Sequence, residues 1–410
     1  MQALPGFRDF LPNECAKRNY IFARWREVAR RYGFVEWDGP VLEPTELYTK
    51  KSGPEIVSQL FNFKDKGERE VAMRPELTPT LARVVAAHDR EFKKPLKWFS
   101  IPQCFRYEKQ QRGRLREHFQ LNCDIIGEAS LAADVELIAL AIDLLRAFGF
   151  SSSDVVVRIS DRSFWIEFLK AHNVPEERWP EMLQAIDKSE RETRDKTREK
   201  LGHLAAPVFE IFEAGGESAR LNEVVSGLAA RGLADFAKVD VRIVRGLAYY
   251  TGIVFEVFDR AGKARALAGG GRYDDLISNL SDGGISLPAL GFAMGDVVLG
   301  DLIDETPAAR DTMERSVAAA RAIDIFVVIA KEDRRADAIR VVQQLRDGGH
   351  CVDYSLTQAK VGKQFQSAEQ LGARTAILFG DEWPQVAVKN LESGEQELMP
   401  HAVLLKRLSS

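Results

Sequence analysis

A scattered set of side chains in this 410-residue chain has the types expected of a lined polar pocket: Glu76, Thr78, Arg106, Glu108, Arg114, Gln120, Asp124, Arg245, Tyr249 and Tyr250. Several arginines directed into one pocket favour a multiply charged anion, because a guanidinium fork matches phosphate oxygens. Glu76, Gln120 and Asp124 favour a small ligand that is cationic or rich in donors. The combination suits joining a small amino-bearing acid to a nucleotide. Such a reaction needs positioning, stabilisation of negative charge on the transferred phosphoryl centre, and Mg²⁺.

These groups must be held by regular elements. Residues 97–124 read as two strand-like runs flanking a loop rich in Gln and Arg, a hairpin with a loop longer than a tight turn. Side chains alternate along a strand. Arg106 and Glu108 then share a face of the outgoing strand. On the return strand His118, Gln120, Asn122 and Asp124 share one face, while Phe119, Leu121, Cys123 and Ile125 share the other. An ordinary half-exposed hairpin is the plain alternative, but a solvated face would favour Thr, Lys and Glu without such selection. In Met73–Arg83 a strand ends at Pro75 and a helix starts near Thr78 or Pro79. Glu76 and Thr78 fall at a corner where functional groups are displayed, unless Thr78 is simply a helix N-cap. Val244–Phe258 restores a strand pattern, and Gly269, Gly270 and Gly271 allow close backbone approach to a ligand or neighbouring strand.

The remaining chain frames this centre. Residues 1–12 read as an ordered leader, and Asn13 as the cap of a helix stopped by Gly33. A strand over Phe34–Leu42, broken by Pro40, belongs at an edge or bulge, and a second subunit is one way to cover such an edge. Ser130 caps an apolar helix stopped by Gly149. Residues 165–235 form a helical insertion whose mixed-charge run, 188–200, reads as a solvated face. Residues 303–320 read as a linker. From 322 onward, strands over 324–330, 351–354, 375–379 and 386–389 alternate with two helices. That order implies a parallel core with right-handed crossovers. No phosphate-cradling glycine motif opens either helix, so this unit reads as a recognition module.

The length predicts two or three domains. Hydrophobic content of 45% and charged content of 29% are those of a soluble globular protein. No apolar run is long enough for a membrane span, and the N-terminus lacks the pattern of a secretory signal. Four scattered cysteines have no metal-ligand spacing and predict reduced thiols in a cytoplasmic setting. The net charge of −4 confines any nucleic-acid contact to local patches.

The motifs resemble those of class II aminoacyl-tRNA synthetases, most closely the histidyl family, over nearly the whole chain. Phe105-Arg106-Tyr107-Glu108, the loop and Arg114 resemble the second class II motif. Arg74-Pro75-Glu76-Leu77-Thr78 resembles the family's Arg-Pro-Glu-Gly-Thr element. Arg245-Gly246-Leu247-Ala248-Tyr249-Tyr250 and Gly270-Gly271-Arg272-Tyr273-Asp274 resemble the two histidine signatures. Gly362–Glu369 and Val388-Lys389-Asn390-Leu391 resemble an anticodon-binding domain.

The resemblance implies an α+β fold. Its parts would be an antiparallel class II sheet flanked by helices over residues 1–320 and an α/β anticodon-binding-type domain over 322–410. It implies a homodimer that activates L-histidine with ATP and Mg²⁺ and charges tRNA(His), with no metal site built from protein alone. Arg106, with Arg245 a catalytic residue, would hold the ATP α-phosphate and the substrate carboxylate region, Glu108 the adenine side, and Arg114 further ATP contacts. Arg245 would be the catalytic cation at the α-phosphate. Glu76, Thr78 and Gln120 would bind the α-amino end, Asp124 and Tyr250 the imidazole nitrogens, and Tyr249 would line the pocket. Gln111 and Arg116 would meet the tRNA acceptor end.

Departures from the pattern are Leu77 for Gly, Asp124 for Glu, Ala248 for an acid, and the order His118-Phe119, which by parity puts an imidazole against adenine. The third class II motif, at Gly291–Val298, lacks its arginine. That absence raises a competing reading, a non-catalytic histidine-binding paralogue that regulates an ATP phosphoribosyltransferase. Arg245 and the C-terminal domain oppose it.

Overall fold

The structure, a computed structural model, describes residues 2–49, 57–109, 111, 113–216, 218–245, 249–262 and 265–408, with the side chain of Arg321 left aside. It divides into two compact units, Met1–Met313 and Glu314–Ser410. The strands of the first are, in chain order, β1 (Val35–Glu36), β2 (Leu42–Pro44), β3 (Phe61–Lys64), β4 (Glu70–Met73), β5 (Leu96–Ser100), β6 (Gln103–Phe105), β7 (Glu117–Ile126), β8 (Val155–Asp161), β9 (Ala237–Val239), β10 (Ile253–Asp259), β11 (Ala268–Arg272) and β12 (Ala289–Gly295).

The main sheet runs β1-β5-β7-β12-β11-β10-β8-β9, with β6 also on β7, and β2-β4-β3 form a small second sheet. Pairing is antiparallel through the centre and parallel only at the two edges, β1 with β5 and β8 with β9. The expected α+β class and antiparallel core therefore hold. The helix Leu131–Arg146 is buried almost all round and packs on β7, β11 and β12. It covers the face that carries Leu121, Cys123, Leu290, Phe292 and Met294, all buried.

Several local expectations are corrected. The run Phe34–Leu42 is not one strand: β1 ends at Glu36 and β2 begins at Leu42. Pro40 has no N–H for a ladder. The bend before it is tied instead by Asp38, which accepts from the Gly39 N–H and the Arg74 guanidinium. The outgoing arm of the central hairpin breaks at Pro102 into β5 and β6, and β6 ends at Phe105. Arg106 and Glu108 thus lie beyond the strand, where the Arg106 N–H donates to the Arg116 carbonyl and the Tyr107 N–H to that of Gln59. The first helix, Pro12–Arg31, starts at Pro12, whose missing N–H suits a first turn. Thr78 is the first residue of the helix Thr78–Ala87 rather than its cap. The Ser130 hydroxyl makes no cap bond, although its N–H donates to Glu128.

Helices Arg162–Ala171, Trp179–Lys188, Arg194–Leu201 and Ala205–Ala214 share one apolar core that also takes in Val241 and Val244. The segment read as a linker is helical, and the unit boundary falls within Pro307–Arg321. The second unit holds β13 (Ile325–Ile329), β14 (Val352–Tyr354), β15 (Thr375–Phe379), β16 (Gln385–Asn390) and β17 (Gln396–Pro400) in the order β14-β13-β15-β16-β17. The first three are parallel and the last two antiparallel additions. β17 and the closing helix His401–Leu408 were not read from the sequence, because Gln396-Glu397-Leu398 is short, polar and exposed. Among the described residues no helix is long and apolar enough to cross a membrane.

Candidate active site

The site lies on the face of the main sheet opposite the Leu131–Arg146 helix. Directly paired residues of antiparallel strands share a face. Asn122, Ala293, Gly269 and Glu256 are therefore one row across β7, β12, β11 and β10, and Asp124, Gly291, Gly271 and Val254 are the next. The middle of both rows is nearly without side chains. A β-carbon at Gly291 would overlap the Asp124 carboxylate, and one at Gly269 would overlap the Arg245 guanidinium. Both charged groups thus lie flat on glycine floor, while Val254 covers Gly271. One strand spacing across and two residues along separate the two seats, roughly 8 Å by ordinary sheet dimensions. The corners between them are Ala293 and Gly271, the latter under Val254.

Each group has a built surround. Asp124 accepts a short hydrogen bond from Tyr273. Burial raises its pKa to about 7, a shift that the Tyr273 bond only partly opposes. Arg245 donates to Glu256 at 2.5 Å and is hydrogen-bonded to Tyr250. Burial would lower its pKa, but the Tyr250 phenol and Glu256 outweigh that and keep it firmly charged. Tyr249 packs on Tyr250 and Tyr273 and donates to Glu76 at 3.4 Å. Its hydroxyl also bonds Thr78, and burial holds its pKa up.

Glu76 is 6% exposed, at the corner between β4 and the Thr78–Ala87 helix. Arg74, buried beside it, fixes that corner through Asp38 at 2.7 Å and the carbonyls of Gly39 and Gln103. Arg106 Nε donates to the Pro75 carbonyl at 2.9 Å. Both predicted arginines therefore border the same corner, Arg106 directly and Arg245 through the tyrosine pair.

The loop end is more polar. Glu108 pairs with Arg114 at 2.5 Å. His118 stands across from Cys104 on β6. Burial, then the charges of Arg106, Arg8 and Arg114, lower its pKa to about 3, so the ring is neutral. Phe119 points the other way, onto Phe22 and Phe10, which is the parity expected. Gln120 lies on the site face opposite Gly295, and its side-chain Oε1 accepts from the Cys104 thiol at 3.9 Å. Gln111 bridges to Arg114 and accepts from Arg265, and Arg116 lies over the Tyr107 ring with Nε on the Glu108 carbonyl. Ala248 lies outside the described residues.

At the third-motif corner, Asp296 accepts the Phe119 N–H and pairs with Arg8, both at 2.9 Å. It ties helix Asp296–Glu305 to β7 and the leader. Among the described residues, no cluster of three or more His, Cys, Asp or Glu could hold a metal ion.

Two site residues, Tyr273 and Glu256, are not singled out by the sequence, and a third, Asn122, is placed on the right face without a role. The phenol on Asp124 belongs to Tyr273, whereas Tyr250 sides with Arg245. Tyr273 was visible only as part of a signature. Glu256 is marked by its place, an acid in the middle of an otherwise apolar run of β10. Asn122, 5% exposed, shares the row of Gly269.

An antiparallel sheet backed by a helix on one face, with Asp124 and Arg245 packed on the glycines of the other and Glu76 and Arg106 at the neighbouring corner, fits the class II aminoacyl-tRNA synthetases. A family profile described as histidyl-tRNA synthetase matches residues 6–296, and one described as an anticodon binding domain matches 324–410. The chain belongs to the histidyl-tRNA synthetase family. It is 46% identical to the histidine–tRNA ligase of Opitutus terrae, over 95% of this chain and 92% of that one. It is 40% identical to the chloroplastic/mitochondrial histidine–tRNA ligase of Arabidopsis thaliana, over 95% of this chain and 83% of that one. Among solved structures, the histidyl-tRNA synthetase of Nostoc sp. PCC 7120 superposes with a TM-score of 0.78 at 23% identity, covering 99% of this chain and 98% of that one. The Staphylococcus aureus apo-enzyme gives 0.76 at 25% identity, covering both chains fully.

Proposed function

We propose that this chain is a histidine–tRNA ligase working through the site described above. The histidine carboxylate attacks the α-phosphorus of ATP, a P–O bond to pyrophosphate breaks, and histidyl-adenylate forms. A hydroxyl at the 3′ end of tRNA(His) then attacks the adenylate carbonyl and releases AMP. The observation that carries this reading is the pair Asp124 and Arg245, seated roughly 8 Å apart on one glycine floor. Asp124, backed by Tyr273, accepts from one imidazole nitrogen, and a buried acceptor of this kind rejects analogues that cannot donate to it. Glu76, Thr78 and Gln120 take the α-ammonium, with Tyr249 as a wall and Tyr250 at the edge next to Arg245. Arg245 and Arg106 stabilise negative charge gathering on the α-phosphate during in-line attack. Glu108 and Arg114 border the adenine, against which the neutral ring of His118 stacks without repelling the arginines around it.

ATP enters with Mg²⁺ as its substrate-bound ion. Gln111 and Arg116 face the acceptor end of the tRNA, and residues 322–410 read its anticodon. We further propose a cytoplasmic homodimer, with the exposed β1 edge covered by a second subunit; Val35 on that edge is 63% exposed. The regulatory reading gains no support, because the ligase relatives match through the C-terminal unit and Arg245 is retained with its full surround.

Histidine-dependent ATP–pyrophosphate exchange tests the proposal. The unsubstituted protein exchanges, and Arg245→Ala lowers the rate about 10²–10³-fold while histidine binding by calorimetry changes little. Absence of exchange in the unsubstituted protein rejects the enzyme, and near-normal exchange in the variant rejects the role of Arg245.

A further inference from the structure

Arg245 has a positive φ of 64°, a backbone region that residues with a β-carbon seldom occupy. Something must hold it there. The Arg245 N–H donates to Asp187 Oδ1 at 2.9 Å, and the Val244 N–H reaches the same oxygen at 3.3 Å. On the other side, the Arg245 carbonyl accepts from Arg162 Nη1 at 3.4 Å. Both backbone polar groups of Arg245 are thus gripped by side chains of the helical region. Arg162 opens the helix Arg162–Ala171, and Asp187 lies in the last turn of Trp179–Lys188.

An acid in a last turn opposes the helix dipole, so local helix stability gives no reason for Asp187 to be there. The two N–H donors and the nearby Arg162 charge compensate it instead. Val244, one residue before the gripped arginine, is itself part of the apolar core that those helices share. The anchor is therefore rigid on the side from which the guanidinium is aimed.

We infer that Asp187 is a positioning residue for the reaction: the helical insertion, through this carboxylate, fixes the Arg245 backbone so that its guanidinium lies over Gly269. This deepens the reading of the same site and rests on it. Asp187 touches neither substrate; it acts through Arg245. A misplaced catalytic group loses far more rate than affinity. The Asp187 variants should therefore separate kcat from KM.

The experiment compares Asp187→Ala and Asp187→Asn with the unsubstituted protein in ATP–pyrophosphate exchange. It adds amide hydrogen exchange of the segment containing Val244 and Arg245. The alanine variant should lose roughly 30–100-fold in kcat with the histidine KM within about threefold, and exchange those amides at least about tenfold faster. The asparagine variant keeps an oxygen acceptor and should recover to within about fivefold of the parent kcat with protected amides. Unchanged amide protection in Asp187→Ala overturns the inference whatever the activity. A kcat within twofold of the parent, or an equal loss in kcat and KM without rescue by asparagine, also overturns it. If the unsubstituted protein shows no exchange, the enzyme reading fails, and the amide protection alone still decides whether Asp187 fixes this backbone.

Discussion

The two sheets of this protein use their faces in opposite ways. In the second unit both faces of β13 and β15 are filled: Ile325, Val327, Ile329, Ile377 and Phe379 on one side, Phe326, Val328 and Ala376 on the other. In the first unit one face is filled in the same manner, but the other gives its central row to glycine and alanine. Side-chain volume removed from a sheet face leaves room for something else, and here the Asp124 carboxylate and the Arg245 guanidinium take it. The charged groups around it can lie close to the backbone only because no β-carbon stands in the way. A filled sheet supplies stability through packed hydrocarbon, whereas the glycine-lined face gives up some of that packing and holds charged groups against the backbone instead.

Adding a single methyl group at Gly269 attacks that difference most directly. Gly269→Ala puts a β-carbon where the Arg245 guanidinium lies, and should cut ATP–pyrophosphate exchange by about 10²-fold or more with little change in melting temperature. The mirror experiment removes volume from the filled sheet. Ile377→Ala should cost about 2–5 kcal/mol of stability by chemical denaturation and leave exchange below the melting point within about twofold. If both variants behave alike, the contrast between the sheets is wrong.

Deleting residues 322–410 sharpens the comparison at the level of whole units. Aminoacylation of tRNA(His) should drop roughly 10²-fold, because one of two linked binding surfaces is lost, while exchange stays within about threefold. Equal losses in both assays would count against an anticodon-reading unit.

The smallest effect concerns Asp124. Its folded pKa, about 7, stands above the ordinary carboxyl value of 3.8 because it is buried. A carboxyl raised on folding contributes stability below pH 4 that is lost as the pH rises through 7. Asp124→Asn should therefore be more stable than the parent at pH 8, by about 1–4 kcal/mol, and similar to it at pH 4. The same variant should bind histidine more weakly. Thermal melts at the two pH values check the first statement, and calorimetry the second.

Local signals were good enough to predict the inward parity of His118, Gln120 and Asp124. Alternation is a property of the strand alone, and the buried helix Leu131–Arg146 was legible for a similar reason. Alternation would put Arg106 and Glu108 on a strand face, but the exit after Phe105 is set by bonds from Phe105, Arg106 and Tyr107 to Arg74, Arg116 and Gln59, which no local pattern shows. The partners of the charged groups were harder still. Tyr273 meets Asp124 across 149 residues of sequence, and Asp187 meets the Arg245 backbone across 58.

By itself, then, the sequence determined which side chains were available, which strand faces they share, and, through the order of its motifs, the family to which the chain belongs. Only the tertiary structure decided what each charge leans on: Arg245 against Glu256 and over Gly269, Asp124 against Tyr273 and over Gly291, with the Arg245 backbone gripped by Asp187 and Arg162. The reason is physical. Covalent geometry and alternation act over a few residues, whereas the strength of a buried charge is set by whatever the folded chain brings within a few ångströms of it.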